Sequence, residues 1–241
     1  MQKASIDAIK ADAIKAAEDG FKSYWLAEHP TGGFDALTVL AVIASSVPDI
    51  EMGTAVVPTF PRHPMALAGQ ALTSQTALQG RLCLGVGLSH EVMMAQLGIG
   101  FEKPIRHLRE YLSILMSLLE KGQVSYVGET LSCEAQVFRP AEPVPSVVVA
   151  ALGPQALRVA GSRTDGTTLA WVGPKTIAEH IVPCINEAAN KANRKQPRVI
   201  ATLPVVVTKQ ADAIRARIGK TLTMYGELPS YKAMFKREGV N

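Results

Sequence analysis

The sequence is poor in the features that most quickly assign a function. Its 241 residues hold three cysteines, Cys83, Cys133 and Cys184, far apart and outside any CxxC or Cys/His ligand spacing. That pattern signals neither a disulfide framework nor a zinc site, so no metal is expected and the thiols read as reduced and structural. Aromatic residues are only 5% of the chain, and the basic residues are scattered apart from a short cluster at 191–198. A nucleic-acid surface would want a basic stripe with stacking aromatics, so no such partner is expected. No run of about 20 apolar residues is present. The opening MQKASIDAIKADAIKAAEDG alternates charges along an amphipathic helix and lacks the basic head and apolar segment of a signal peptide. No membrane partner is expected, and the location expected is cytoplasmic.

What is present is a core and a repeated grammar. The hydrophobic content of 47% is ample for a globular α/β chain, and the net charge of +4 is mild, which suits a small anionic ligand better than a polyanion. Ser5 reads as an N-cap, Ile6, Ile9, Ala13 and Ala17 recur at helical spacing, and Gly20 ends the run. A short strand follows at Phe21 to Leu26, then a helix from about Asp35 to Ser46, a strand from Ile50 to Val57, a helix from Pro64 to Leu78 and a strand from Leu82 to Val86. Pro104 opens a long helix that closes at Gly122, and VSYVGETLSC reads as a hairpin turning at Val127 to Glu129. The alternation resumes with a strand Val147 to Ala150, a helix Pro154 to Ser162, a strand Thr167 to Trp171, a helix Pro174 to Ala192, a strand Val199 to Val207 and a helix Ala211 to Met224.

Short apolar strands alternating with helices mean a parallel sheet covered by helices. A doubly wound sheet would want a glycine-rich dinucleotide turn after the first strand, but AEHPTGGFDA has no GxGxxG spacing and no acidic residue placed for a ribose. The fold expected is a (β/α)8 TIM barrel. Because the chain begins with a helix and shows six strands, the expectation is one incomplete barrel domain over residues 1–241. It lacks the first strand and the last βα unit, with a hairpin-like insertion near 123–137.

In such a barrel the site is built from loops at the C-terminal ends of the strands. His29 follows the first strand, and a side chain that titrates near neutrality suits proton donation or hydrogen bonding to a ring. Ser89 and His90 end the Leu82 to Val86 strand, Ser89 serving either the site or the cap of the next helix. Ala150, Ala151 and Gly153 leave room for a flat ligand against the backbone. Gly173, Lys175 and Thr176 offer free N–H groups, a helix dipole, a hydroxyl and an ammonium to one phosphate, or else simply start a capped helix. His107, Arg109 and His180 fall inside helices and read as structural.

Taken together, GFKSYWLAEH, DALTVLAVIASSVPDIEMGTAVVPTFPRHPMALAGQALT, GRLCLGVGLSH, RHLREYLSILMSLL, VVVAALGPQALRVAGSRTDGTT, WVGPKTIAEHIVP and ELPSYKAMFKREG resemble the luciferase-like monooxygenase superfamily. Within it they resemble the oxidoreductases that use the deazaflavin coenzyme F420. The resemblance implies a (β/α)8 barrel whose third strand ends in a non-prolyl cis peptide pressed against the central ring of the cofactor. By position that bond joins Ala55 and Val56. Pro58, Pro61 and Pro64 would stiffen the turn, and Arg62 and His63 would face the pocket mouth or cap the next helix. His29 matches the histidine that contacts the deazaflavin near its reactive carbon. Gly87, Ser89 and His90 match a loop where some relatives place an acidic proton donor; no carboxylate stands there, Glu91 being next. Ala150, Ala151 and Gly153 match the segment along the cofactor tail, and Gly173, Lys175 and Thr176 match its phosphate site.

The function implied is hydride transfer between C5 of coenzyme F420 and an unidentified small-molecule organic substrate. The alternatives are an FMN-dependent monooxygenase of the same superfamily and a truncated, non-catalytic barrel. A homodimer is the habit of the family and is expected on that ground.

Overall fold

The protein is described from a computed structural model covering residues 5–137 and 143–239, except for the side chains of Thr221 and Met224. The expected N-terminal helix is therefore seen from Ser5 onward, its first four residues lying outside the described range. The chain forms two compact units, Met1–Ala150 with Arg163–Asp165, and Ala151–Ser162 with Gly166–Asn241. Among the described residues no helix is long and apolar enough to cross a membrane.

In the first unit, α1 (Ile6–Glu18) starts where Ser5 Oγ accepts the Ala8 N–H at 3.1 Å and buries Ile9 and Ala13. Strands β1 (Ser23–Leu26), β2 (Glu51–Thr54), β4 (Leu82–Gly87) and β7 (Ser146–Ala150) lie side by side in that order, all parallel. Tyr24 pairs with Met52, Met52 with Leu82, and Leu84 with Val147. All six residues of β4 are buried, as a strand with both faces covered requires. Where one strand was expected from Ile50 to Val57 there are two: β2 stops at Thr54, and β3 (Val57–Pro58) resumes against Val86 and Gly87 of β4.

The helices of this unit follow their punctuation. Asp35 Oδ1 accepts from the Thr38 N–H at 2.7 Å and starts α2 (Ala36–Ile43), which tightens into a 3-10 turn at Ala44–Ser46 ahead of Pro48. The carbonyls freed at that end are met by Arg81: Nη2 donates to Ala44 O, and Nη1 to the carbonyls of Val47, Pro48 and Ile50. α3 (Pro64–Ala77), the short α4 (Glu91–Gln96) and α5 (Pro104–Lys121) complete the layer, α5 ending at Gly122 with φ +73°. A glycine is the residue that adopts this left-handed cap without strain.

The hairpin is present as β5 (Gln123–Val127) paired antiparallel with β6 (Ser132–Gln136), its turn lying at 128–131, slightly later than expected. Glu110 of α5, only 2% exposed, holds that turn. Its carboxylate accepts from the N–H groups of Glu129, Thr130 and Leu131 and from Thr130 Oγ1, at 2.7–3.0 Å. Burial alone would raise its pKa, but these bonds to Thr130, Glu129 and Leu131 outweigh burial and hold it at about 2.

In the second unit, β8 (Gly166–Ala170) and β9 (Arg198–Thr202) pair in parallel, Thr168 opposite Ile200. The strand expected from Val199 to Val207 ends at Thr202, because Pro204 has no N–H to donate and, among the described residues, β9 pairs only with β8. α6 (Pro154–Arg163) packs closely on its neighbour through Gly161, where a Cβ would lie 2.4 Å from the Ile185 carbonyl oxygen. The expected helix from Pro174 is one helical run in three pieces: α7 (Pro174–Thr176), a π turn at Ile177–Ile181, and α8 (Val182–Lys191). Pro183 cannot donate back to Glu179, and the chain takes a wider turn in which Val182 N–H bonds to Ile177 O. α9 (Ala211–Gly226) and α10 (Pro229–Glu238) end the unit. α10, which the periodicity alone did not single out, carries Pro at its start and Gly239 at φ +90° as its stop.

The clamp on the hairpin turn makes a pH-dependent prediction. Glu110 has a folded pKa below its unfolded value near 4.3, so its contribution is complete above that value and is lost as pH falls through about 4 toward 2. Amide hydrogen exchange should show the 128–131 turn losing protection over that window. Glu110→Ala should cost about 2–4 kcal/mol in urea denaturation and remove this pH dependence.

Candidate cofactor site

The backbone of the first unit is closely constrained where β2 ends. Thr54 turns its hydroxyl into the ladder: Oγ1 donates to Gly85 O and accepts from Gly85 N–H, both at 2.8 Å. The Ala55–Val56 peptide that follows is cis, at the bond the family resemblance indicated. The opposing strand has no room for side chains here. A Cβ on Gly85 would lie 1.9 Å from Thr54 O, and one on Gly87 would lie 2.7 Å from Val56 Cγ2 and 3.1 Å from Ala150 Cβ. The glycines of LGVG therefore serve a bulge formed thirty residues earlier in the chain, and Ala55 and Val56 stay half-buried at its crest.

The loops at this end of the strands carry the remaining residues. His29 is exposed, and its Nδ1 accepts from the Thr31 N–H at 3.4 Å with Thr31 Oγ1 at 3.0 Å. An N–H donor at Nδ1 leaves the neutral ring's proton on Nε2. Its neighbour Glu28 accepts from the Ala36 N–H at 3.0 Å and pairs with Arg62 Nη2 at 3.1 Å, and Arg62 also meets Asp35 at 2.8 Å. Tyr111 Oη donates to the Arg62 carbonyl at 2.9 Å, while Arg62 Nη1 is buried without a hydrogen-bond partner. Arg62 thus fastens the loop bearing His29 to the loop that follows the bulge. Of the two roles expected for Arg62 and His63, capping belongs to His63, whose Nδ1 accepts from the Met65 N–H at the start of α3.

Ser89 lies beside the bulge in the left-handed region, φ +63°, with Oγ 3.6 Å from Met93 Sδ. Its alternative role, capping the next helix, is not seen; His90 occupies the N-cap of α4, and burial pushes its pKa down. His107 is structural as expected: it stacks on Phe60 with centroids 3.9 Å apart and lies 3.2 Å from Thr59 Oγ1. Burial, opposed by Glu110, lowers its pKa to about 4, so the ring is neutral at pH 7.

In the second unit, Ala151 is buried, and a Cβ on Gly153 would meet nothing within 4 Å, which leaves open space beside that backbone. His180, expected to be structural from its place in a helix, anchors a loop of this unit. From the π turn its Nε2 donates to Leu152 O at 2.9 Å and holds residues 151–153. Trp171, the last residue of the strand expected from Thr167, follows β8 with φ +59°, a conformation rare for a bulky residue, and its ring lies 5.7 Å from that of Tyr225. Gly173, Lys175 and Thr176 do form a helix start with inward N–H groups. What faces them is Glu238 of α10, which accepts from Lys175 N–H at 3.2 Å and Thr176 N–H at 2.8 Å. Glu238 was not foreseen, since nothing local marks a contact over 62 residues.

A cavity of about 510 Å³ opens at the other end of the first unit's strands, lined by Asp49, Glu51, Gln79, Arg81 and Ser146 among others. Its strongest polar group is spent, Arg81 being engaged with backbone carbonyls. The bulge, not this cavity, has the features of a ligand site.

Known proteins resemble this chain over most of its length. An F420-dependent glucose-6-phosphate dehydrogenase of Nakamurella multipartita is 28% identical over 85% of this chain and 64% of its own length. A 5,10-methylenetetrahydromethanopterin reductase of Archaeoglobus fulgidus is 27% identical over 95% of this chain and 69% of its own. This chain thus spans less than two thirds of the Nakamurella protein. The solved coenzyme F420-dependent tetrahydromethanopterin reductase of Methanopyrus kandleri superposes with a TM-score of 0.84 at 23% identity, over 98% of this chain and 73% of that one. That likeness shows the α/β fold of the luciferase-like type expected from the sequence. The family model for luciferase-like monooxygenases matches residues 1–240, and the chain belongs to that family.

Proposed function

We propose that the protein is a coenzyme F420-dependent oxidoreductase acting on a small organic substrate. The observation that carries this reading is the Ala55–Val56 bulge, with Gly85 and Gly87 cleared of side chains beneath it. A flat ring needs such a firm, shallow backbone edge, and the relatives reported above are named for F420 chemistry or for the reduction of a pterin. When bound, the deazaflavin supplies the hydride donor or acceptor; the protein supplies binding, orientation and proton handling.

In this reading Ala55 and Val56 press on the ring and Gly87 keeps the bulge seated. Ala150, Ala151 and Gly153 run along the cofactor tail, and Gly173, Lys175 and Thr176 form an anion cradle. His29 presents its Nε2–H as a hydrogen-bond donor to the ring. The loop from Gly87 to His90 offers the Ser89 hydroxyl and the neutral His90 ring where no carboxylate stands. The protein is further proposed to be cytoplasmic and a homodimer, the latter checked by light scattering at micromolar concentration, where a monomeric mass would reject it.

Titration of F420 against the protein's intrinsic fluorescence tests the reading, with FMN run in parallel. Saturable binding of F420 with little or none of FMN is the expected result. Preference for FMN would favour the oxygen-activating branch of the family, and binding of neither by the folded protein would overturn both. Gly87→Ala places a Cβ against Val56 and Ala150. The overpacking, of order 1–3 kcal/mol, should push the bulge out of place and weaken F420 binding by about tenfold or more.

A further inference from the structure

The loop from Ala27 to Asp35, which carries His29, is attached at both ends to the segment that forms the bulge. Just before its start, Leu26 O accepts from the Ala55 N–H at 2.9 Å. At its far end Asp35 meets Arg62 Nη2 at 2.8 Å, and the same nitrogen meets Glu28, the neighbour of His29, at 3.1 Å. The side chains of Arg62, Glu28 and Asp35 are 20%, 10% and 29% exposed, so water screens these pairs less than it screens surface ones. Both carboxylates are also bound to the frame: Glu28 Oε2 accepts from the Ala36 N–H and Asp35 Oδ1 from the Thr38 N–H, in the first turn of α2. The bulge side is held without the Arg62 side chain. Thr59 N–H donates to Gly87 O and Tyr111 Oη to Arg62 O, each at 2.9 Å.

We propose that Arg62 is a positioning residue for His29: by drawing Glu28 and Asp35 onto one nitrogen it closes the His29 loop and fixes where Nε2–H stands relative to the Ala55–Val56 edge. Arg62 itself touches neither ring nor substrate in this role. The bonds within the loop, Gly32 N–H to His29 O and Thr31 N–H to Nδ1, orient the imidazole locally but do not place the loop against the bulge. The inference rests on the proposed function only in taking His29 as a donor to a ring on that edge; the closure of the loop belongs to the chain without ligand. Both carboxylates are met by Nη2, while Nη1 is buried without a hydrogen-bond partner. The fork of the guanidinium is therefore not what this contact uses, and a single ammonium can serve the same two carboxylates.

The test compares Arg62→Met, which keeps an apolar stem and removes the charge, with Arg62→Lys. In the full chain without ligand, Arg62→Met should shift the His29 ring and Thr31 amide resonances, and Arg62→Lys should return them toward their original positions. Unchanged resonances in a folded Arg62→Met, or no recovery with lysine, would overturn the inference. F420 titration gives a second readout. His29→Ala and Arg62→Met should each weaken binding by about three- to tenfold, the worth of one hydrogen bond. The double variant should bind within about twofold of the weaker single one, because both changes remove the same bond. Additive losses would mean that Arg62 acts elsewhere, rejecting the inference and leaving the proposed function intact. Absence of F420 binding by the unsubstituted protein would reject the proposed function and leave the resonances to decide on Arg62. Should Arg62→Met lose the fold, because two carboxylates then face each other, Glu28→Gln decides instead. Its one amide oxygen can serve Ala36 or Arg62 but not both, so it should reproduce the shifts and the non-additivity, and unchanged resonances or additive losses would reject the role.

Discussion

Where β2 leaves its ladder, the backbone of one strand approaches the next so closely that the second strand must be bare. Thr54 O would sit 1.9 Å from any Cβ on residue 85, and Val56 reaches over residue 87. Such an approach fixes the sequence of β4, because a side chain there could be accepted only by moving a backbone carbonyl. It also fixes the hydrogen bonding: with the ladder interrupted, the Thr54 hydroxyl supplies both the donor and the acceptor that Gly85 would otherwise lack. The candidate site is a by-product of this packing, since the Ala55–Val56 peptide is left at the strand ends with both residues half-buried.

Three charged side chains of the first unit then do what the strands cannot. Arg81 collects the orphan carbonyls behind α2, Glu110 collects the amides of the hairpin turn, and Arg62 joins two carboxylates from the loop that carries His29. Each is a multiply bonded ion fastening a loop to a rigid element, and charge-assisted bonds of this kind hold geometry better than apolar contact does. Loops of the first unit are therefore held by electrostatics on a frame held by packing.

Much of this architecture is legible from local pattern. Prolines at 64, 104, 154 and 174 and glycines at 20 and 122 mark helix ends through backbone constraints that act within a few residues. The position of the cis bond is legible too, but through resemblance to relatives and not through any local preference of Ala55 or Val56. The rest depends on partners distant in sequence. Nothing between Ile50 and Val57 says that the strand must split, because the cause lies in Gly85 and Gly87. The early end of β9 reflects the lack of a further strand partner among the described residues beside an apolar run, LPVVV, that reads as strand. Arg62 and Glu238 look like ordinary surface charges until the fold brings Glu28 and Asp35 to one and the Thr176 amide to the other.

The π turn at Ile177–Ile181 has a further effect on the helix that contains it. One extra residue in a turn advances every later side chain by one position around the axis, about 100°. The residues of the run from Pro174 to Lys191 on either side of the turn are therefore set in different phase about the axis. Before the turn Thr176 faces α10, and after it the Ile185 carbonyl and Ala188 face Gly161 of α6. The insertion is a phase shifter, setting the rotation at which one helical run meets α10 on one side of the turn and Gly161 of α6 on the other.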